Sequence, residues 1–171
     1  MNVFEAISAR RSVRRYVRGA RIPEEHLRRI MEAARLAPSA KNSQPWRFVV
    51  VKDEQVKRRL VKACRGQKFL EDASVVIAAL GVPSESRWYM QDPMIAVEHM
   101  VLEATELGYG TCWIGAFEED EVKEVLSVPE EVRVVCLLAL GVPAESPPPR
   151  PRKSLGEIFY LDRYGAPYPL S

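Results

Sequence analysis

Three apolar, β-branched runs constrain this chain most: Phe48–Val51, Ala73–Leu80 and Val132–Leu140. Each has the length and composition of a strand. Each stops at a breaker: Asp53, Gly81 with Pro83, and Gly141 with Pro143. The segments between them carry helical periodicity. Strands spaced by helices call for one sheet with helices packed on it, an α+β or α/β sandwich. Phe48–Val51 reads as a central strand of that sheet.

The helices have readable ends. Asn2 can cap a short helix bearing Val3, Phe4, Ala6 and Ile7. Ile22-Pro23-Glu24-Glu25 opens a second, with proline and acids in its first turn. Leu27, Ile30, Met31, Ala34 and Leu36 supply its buried stripe, and it stops before Pro38. Asp53 caps a third, running to about Cys64 with Val56, Leu60, Val61 and Cys64 inward. Asp92-Pro93 opens the longest helix, which reaches about Leu107 and closes at Gly108. Its apolar residues occupy more than one side, which implies burial in both a core and an oligomer interface. Glu119–Leu126 is a short helix after the glycine-rich stretch Gly108–Phe117.

A chain of 171 residues makes one domain, 1–171, and can bury roughly 70% of its unfolded surface without a staple. No apolar run approaches the roughly 20 residues of a membrane span. The N-terminus shows neither a basic nor an apolar leader region, so the expectation is a cytoplasmic protein. Cys64, Cys112 and Cys136 are odd in number and far apart, which disfavours disulfides and a zinc site; each reads as a small buried hydrophobe. The tail, 144–171, is proline-rich yet holds Leu155, Ile158, Phe159, Tyr160, Leu161, Tyr164 and Tyr168. That is too apolar for a free disordered segment. It should pack on its own domain or on a second subunit.

Two features point to a ligand. Net charge is only +2, but Arg10, Arg11, Arg14, Arg15, Arg18 and Arg21 crowd one end, while Arg150, Arg152 and Lys153 crowd the other. Arginine forks suit phosphate because they make two parallel hydrogen bonds. A basic arm also fits nucleic acid. Here Glu24 and Glu25 follow at once and the remaining charge is balanced, so no nucleic-acid role is expected. The second feature is Pro38-Ser39-Ala40-Lys41-Asn42-Ser43-Gln44-Pro45-Trp46. Prolines pin it at both ends, and its amides offer donors and acceptors to a polar heterocycle. The plainer reading is a polar connector. Trp46, next to a strand, reads as a core anchor for this loop. Trp88 and Tyr89, in the polar loop 84–91, could stack on an aromatic substrate or simply pack. The G-x-G-x-x-G and G-x-x-x-x-G-K-[ST] fingerprints are absent, and no Ser-His-Asp or Cys-His arrangement stands out.

Taken together, Arg10-Arg11-Ser12-Val13-Arg14-Arg15-Tyr16, Ala37-Pro38-Ser39 through Asn42-Ser43-Gln44-Pro45-Trp46, Leu107–Gly115 and Pro149-Arg150-Pro151-Arg152 resemble the nitroreductase family of flavin enzymes. The resemblance implies an α+β fold with a central, mostly antiparallel sheet flanked by helices, in an intertwined homodimer holding FMN at the interface. Arg10, Arg11, Ser12 and Arg14 would hold the FMN phosphate and ribityl chain, and Arg150 with Arg152 would complete the phosphate site. Pro38, Ser39, Asn42 and Gln44 would approach the partner's flavin. Ile114, Gly115 and Ala116 would lie along its redox edge, where this chain has no acid beside the glycine. The flavin would carry the chemistry, so no catalytic side chain is expected. NAD(P)H would be the donor, and a nitroaromatic, quinone or similar small molecule the acceptor, in a ping-pong sequence. The alternatives are a specialised flavin enzyme, dehalogenase-like or oxidising a precursor, and a non-catalytic flavin-binding protein.

Overall fold

The computed structural model describes residues 1–170; Ser171, the last residue of the tail, lies outside the described residues. The helices are α1 (Val3–Ala9), α2 (Glu24–Arg35), α3 (Glu54–Ala63), α4 (Phe69–Asp72), α5 (Asp92–Glu106), α6 (Glu119–Leu126) and α7 (Leu155–Ile158). The strands are β1 (Trp46–Val51), β2 (Val75–Gly81), β3 (Gly110–Ile114) and β4 (Arg133–Gly141). They form one sheet in the order β1-β2-β4-β3, antiparallel at every junction. The expected α+β architecture is therefore present. No helix among the described residues is long and apolar enough to cross a membrane.

Each face of the sheet builds its own core. One face packs Leu60, Cys64, Leu70, Val76, Ala78, Leu137 and Ala139 beneath α3, α4 and α6. The other packs Ile77, Ala79, Cys136, Leu138 and Leu140 against α2 and α5. Alternate residues of β2 and β4 serve opposite faces, as a pleat requires. Because both faces are covered, β2 is apolar and buried throughout. Trp46 is buried in the α2–α5 core, as expected of an anchor. The three cysteines are free and buried; burial pushes the Cys64 thiol up to about 11 and the Cys136 thiol up to about 12.

The helix ends follow their signals. Asn2 and Glu5 form a capping box on α1, and Asp53 accepts from the Val56 N–H at 2.9 Å. The α5 stripe Ala96, Val97, Met100, Val101 and Ala104 is buried, while Met94 and Ile95 face outward.

Three expectations are corrected. β1 is an edge strand, not a central one: among the described residues it pairs only with β2, and Phe48, Val49 and Val50 are half-buried. The sheet has a fourth strand, β3, inside the glycine-rich stretch, held by pairing with β4 from Gly110↔Gly141 to Ile114↔Leu137. The α2 stripe is narrower than expected, since Met31 and Leu36 are exposed. Of the two places expected for the tail, its own domain does not bury these side chains: Leu155, Ile158, Phe159, Tyr160, Leu161, Tyr164 and Tyr168 are all exposed in the single chain.

Candidate functional site

The arm after α1 is extended and laid across the end of the sheet. The Val13 N–H donates to the Thr111 carbonyl at 2.8 Å, and the Val17 N–H to that of Val142 at 2.9 Å. The Ala144 N–H returns a bond to the Arg15 carbonyl at 2.8 Å. This close approach requires missing side chains. A Cβ on Gly110 would stand 2.9 Å from Val13, and one on Gly141 would stand 2.9 Å from the Tyr16 ring and 3.0 Å from the Ser74 nitrogen. The two glycines are cross-strand partners, so they open a single slot in the sheet for the arm. Tyr16 fills it, buried, with its hydroxyl donating to the Val13 carbonyl at 2.8 Å. Burial pushes that phenol far above its ordinary value.

The slot brings the two chain ends together. The Arg14 N–H donates to Glu145 Oε1 at 2.6 Å, a bond between residues 131 positions apart. Beside it opens a cavity of about 730 Å³ walled by Arg10, Arg11, Ser12 and Arg14 from the arm and by Arg150 and Arg152 from the tail. Pro147, Pro148 and Pro149 stiffen the tail side. Among the described residues none of these five arginines is in an ion pair, although most other arginines are. Arg11 differs from its companions. Its guanidinium donates to the carbonyls of Ser8, at 2.7 Å, and Arg10, at 2.8 Å, so it is partly engaged in closing α1. The cavity can thus take a multiply charged anion: it offers several charge-assisted donors around one space, with Glu145 as the lone carboxylate in the wall.

The other expected site residues lie elsewhere. Ile114 is buried at the far end of β3, and Gly115 and Ala116 follow it in exposed backbone. A Cβ on Gly115 would meet nothing within 4 Å, so space beside it is open. The four residues from Thr111, where the arm attaches, to Gly115 span about 13 Å of extended chain.

Pro38, Ser39, Asn42 and Gln44 do not line the cavity in the single chain. Their loop nonetheless has a specific, hydrogen-bonded backbone path. Lys41, Asn42 and Gln44 all have φ near +50°, the sparsely populated left-handed region for side-chain-bearing residues. Ser39 Oγ accepts from the Gln44 N–H at 2.9 Å, and buried Asp92, in the first turn of α5, accepts from the Ala40 N–H at 3.1 Å. Such strain persists only where surroundings enforce it. In the neighbouring 84–91 loop, Trp88 is exposed with the Arg87 guanidinium 5.0 Å above its ring.

Glu145, Gly110, Gly141 and Asp92 were not anticipated as parts of this arrangement. A cross-strand glycine pair has no local signature, and Glu145 could have been noticed only as a single acid entering a basic, proline-rich tail.

Comparisons with known proteins bear on the family and the fold. The sequence profile of the nitroreductase family matches residues 7–73 and 62–142. A protein of Archaeoglobus fulgidus, provisionally named an NADH dehydrogenase/NAD(P)H nitroreductase, is 35% identical over 150 residues, 83% of this chain and 86% of its own. A solved nitroreductase family protein from Clostridium novyi NT superposes with a TM-score of 0.81 at 36% identity, over 98% of this chain and 97% of its own. An FMN-dependent nitroreductase from Clostridium difficile superposes with a TM-score of 0.85 at 28% identity, over 94% and 99% of the two chains.

Proposed function

The chain belongs to the nitroreductase family, and on that footing we propose that it is an FMN-dependent, NAD(P)H-consuming oxidoreductase of small electron acceptors. The observation that carries this reading is the cavity where arginines from both chain ends, in no ion pair among the described residues, converge. A phosphate monoester with two charges is the ligand such a wall fits. Arg10, Arg14, Arg150 and Arg152 would grip the phosphate, Ser12 would add a hydroxyl, and Arg11 would add positive potential while it holds α1. The 13 Å ruler of β3 suits an extended cofactor with phosphate at one end and a ring at the other.

The chemistry FMN supplies when bound is hydride exchange, with NAD(P)H in one half-reaction and a nitroaromatic, quinone or similar acceptor in the other. The protein's part is position and electrostatics. The Gly115 and Ala116 N–H groups would point fixed dipoles at the ring edge where negative charge develops, with no acid beside them to oppose it. Ile114 backs that edge with buried apolar surface.

The site would be completed by a second copy of the chain. Val3 and Phe4 are 73% and 76% exposed, and the tail aromatics are unburied, so much apolar surface lacks a cover. An intertwined homodimer would bury it, and the strained 38–44 loop would then meet the partner's flavin. The decisive experiment is a visible spectrum of the protein with FMN, before and after NADH and NADPH are added without oxygen. A yellow protein that bleaches, then regains colour on addition of a quinone, supports the proposal; a protein that stays colourless with FMN removes it. Bound flavin that neither nicotinamide bleaches would leave a flavin carrier.

A further inference from the structure

Half of the N-terminal arginine run does not reach the first cavity. Arg18 and Arg21 turn away at the Val17–Ala20 turn, where Gly19 has φ +74°, and enter a second, smaller cavity of about 260 Å³. Its wall carries Arg18, Arg21, Lys52, Lys57 and Arg58 against two acids, Glu54 and Glu71.

Lys57 forms its floor. It is only 5% exposed, and its ammonium donates to the Ala73 carbonyl at 2.7 Å and the Glu71 carbonyl at 3.3 Å. Both acceptors are neutral, and an ammonium has three donors. One N–H is left, and among the described residues no carboxylate pairs with the charge. Burial accordingly lowers the lysine's pKa. At the rim, Arg18 holds Asp72 at 3.6 Å, Arg58 holds Glu54 at 3.6 Å and Lys52 holds Glu24 at 2.8 Å. These are exposed pairs of little net worth, so their cations can re-aim at small cost. Arg21 has no ion pair among the described residues.

We propose that this cavity is a second anion site, which takes the phosphate group of a small molecule, either free phosphate or a compact phosphate monoester. Three guanidinium forks and two ammonium groups exceed what the two oxygens of one carboxylate can use, whereas a phosphate offers more acceptors in a tetrahedral array. The volume admits that group with a small appendage. The ligand's charge would stand against the buried ammonium, and its oxygens would accept the free N–H of Lys57.

The test is calorimetric titration of the FMN-saturated protein at low ionic strength, with inorganic phosphate in one arm and glycerol 3-phosphate in the other. One saturable site per chain is expected, weakened at least tenfold by Arg21→Ala and by Arg58→Ala. Arg152→Ala should leave it unchanged. Both rim residues are exposed, so folding survives their loss, and Lys57→Met tests the floor where that variant is stable. Equal affinity in the two arms identifies free phosphate as the ligand, and tighter glycerol 3-phosphate binding identifies a monoester. No saturable binding in either arm overturns the proposal, as does binding that only Arg152→Ala weakens. The proposal does not rest on the flavin reading: a protein that fails to take FMN would still be sorted by the opposite responses to Arg21→Ala and Arg152→Ala.

Discussion

Arginines meet two fates in this molecule. On the outer surface, Arg29, Arg35, Arg47, Arg65 and Arg133 each hold a carboxylate at 2.5–3.0 Å. Around the larger cavity, Arg10, Arg14, Arg150 and Arg152 hold none among the described residues. A neutralised guanidinium mostly helps solubility and local stability. An unneutralised one, crowded against others, raises the energy of the empty site and stores attraction for an anion. The prolines of the tail and the arm's bonds to Thr111 and Val142 keep those charges together against their own repulsion.

That contrast can be broken by mutation. The largest effect is expected from the double variant Arg10→Ala/Arg152→Ala. Each change removes a charge-assisted hydrogen bond worth about 1.5–3 kcal/mol, so FMN affinity, followed by fluorescence quenching, should fall by about 10²- to 10⁴-fold if the two act independently. Unchanged affinity would mean that the cavity arginines are as idle as surface ones. Next comes Gly141→Ala, which drives a methyl into the Tyr16 ring and the Ser74 backbone. Overpacking of this kind costs about 1–3 kcal/mol. The expected outcome is a lower denaturation midpoint together with weaker FMN binding, because the arm carries three of the five cavity arginines.

A smaller effect belongs to the paired class. Glu119 accepts from Arg133 Nε and Nη2, both at 2.9 Å, and from the Val134 N–H at 2.9 Å, and the Arg133 bond holds its carboxyl below the usual range. A depressed carboxylate stabilises the fold at pH values above its unfolded value of about 4.5, and that contribution is lost as pH falls through the lower folded value. Glu119→Gln should therefore cost about 1 kcal/mol at pH 7, since solvent screens a partly exposed pair. The gap between variant and parent in urea unfolding should close in acid. A gap that widens in acid would reverse the assignment. Smallest of all, Arg47→Ala, at an exposed pair with Glu85, should change stability by less than about 1 kcal/mol and leave FMN binding untouched.

How much was legible from residues alone follows the range of the interactions involved. β2 and β4 announce themselves because both their faces are buried, leaving unbroken apolar runs. β3 does not, since Gly110-Thr111-Cys112-Trp113-Ile114 becomes a strand only by pairing with β4. The edge position of β1 is likewise a matter of partners, and nothing within Phe48–Val51 encodes it. Caps such as Asn2 and Asp53 act within three residues and were readable. At the site, two arginine clusters with too few nearby acids were visible as charge without a counter-charge. The slot that joins them was not, because Gly110 and Gly141 meet only across the folded sheet. The left-handed backbone at Lys41, Asn42 and Gln44 escaped notice for a related reason: one bond that fixes the loop, from the Ala40 N–H to Asp92, spans 52 positions.

The bond from the Arg14 N–H to Glu145 also bears on the order of events during synthesis. Its two ends leave the ribosome 131 residues apart. Loop closure over such a distance is late, and contacts of this range form slowly. Any nascent chain that stops short of Glu145 has an arm but no cavity. Loading of the larger cavity with a phosphate-bearing ligand therefore reports that the 145–152 segment has docked, which makes uptake there a timestamp for a late step of folding.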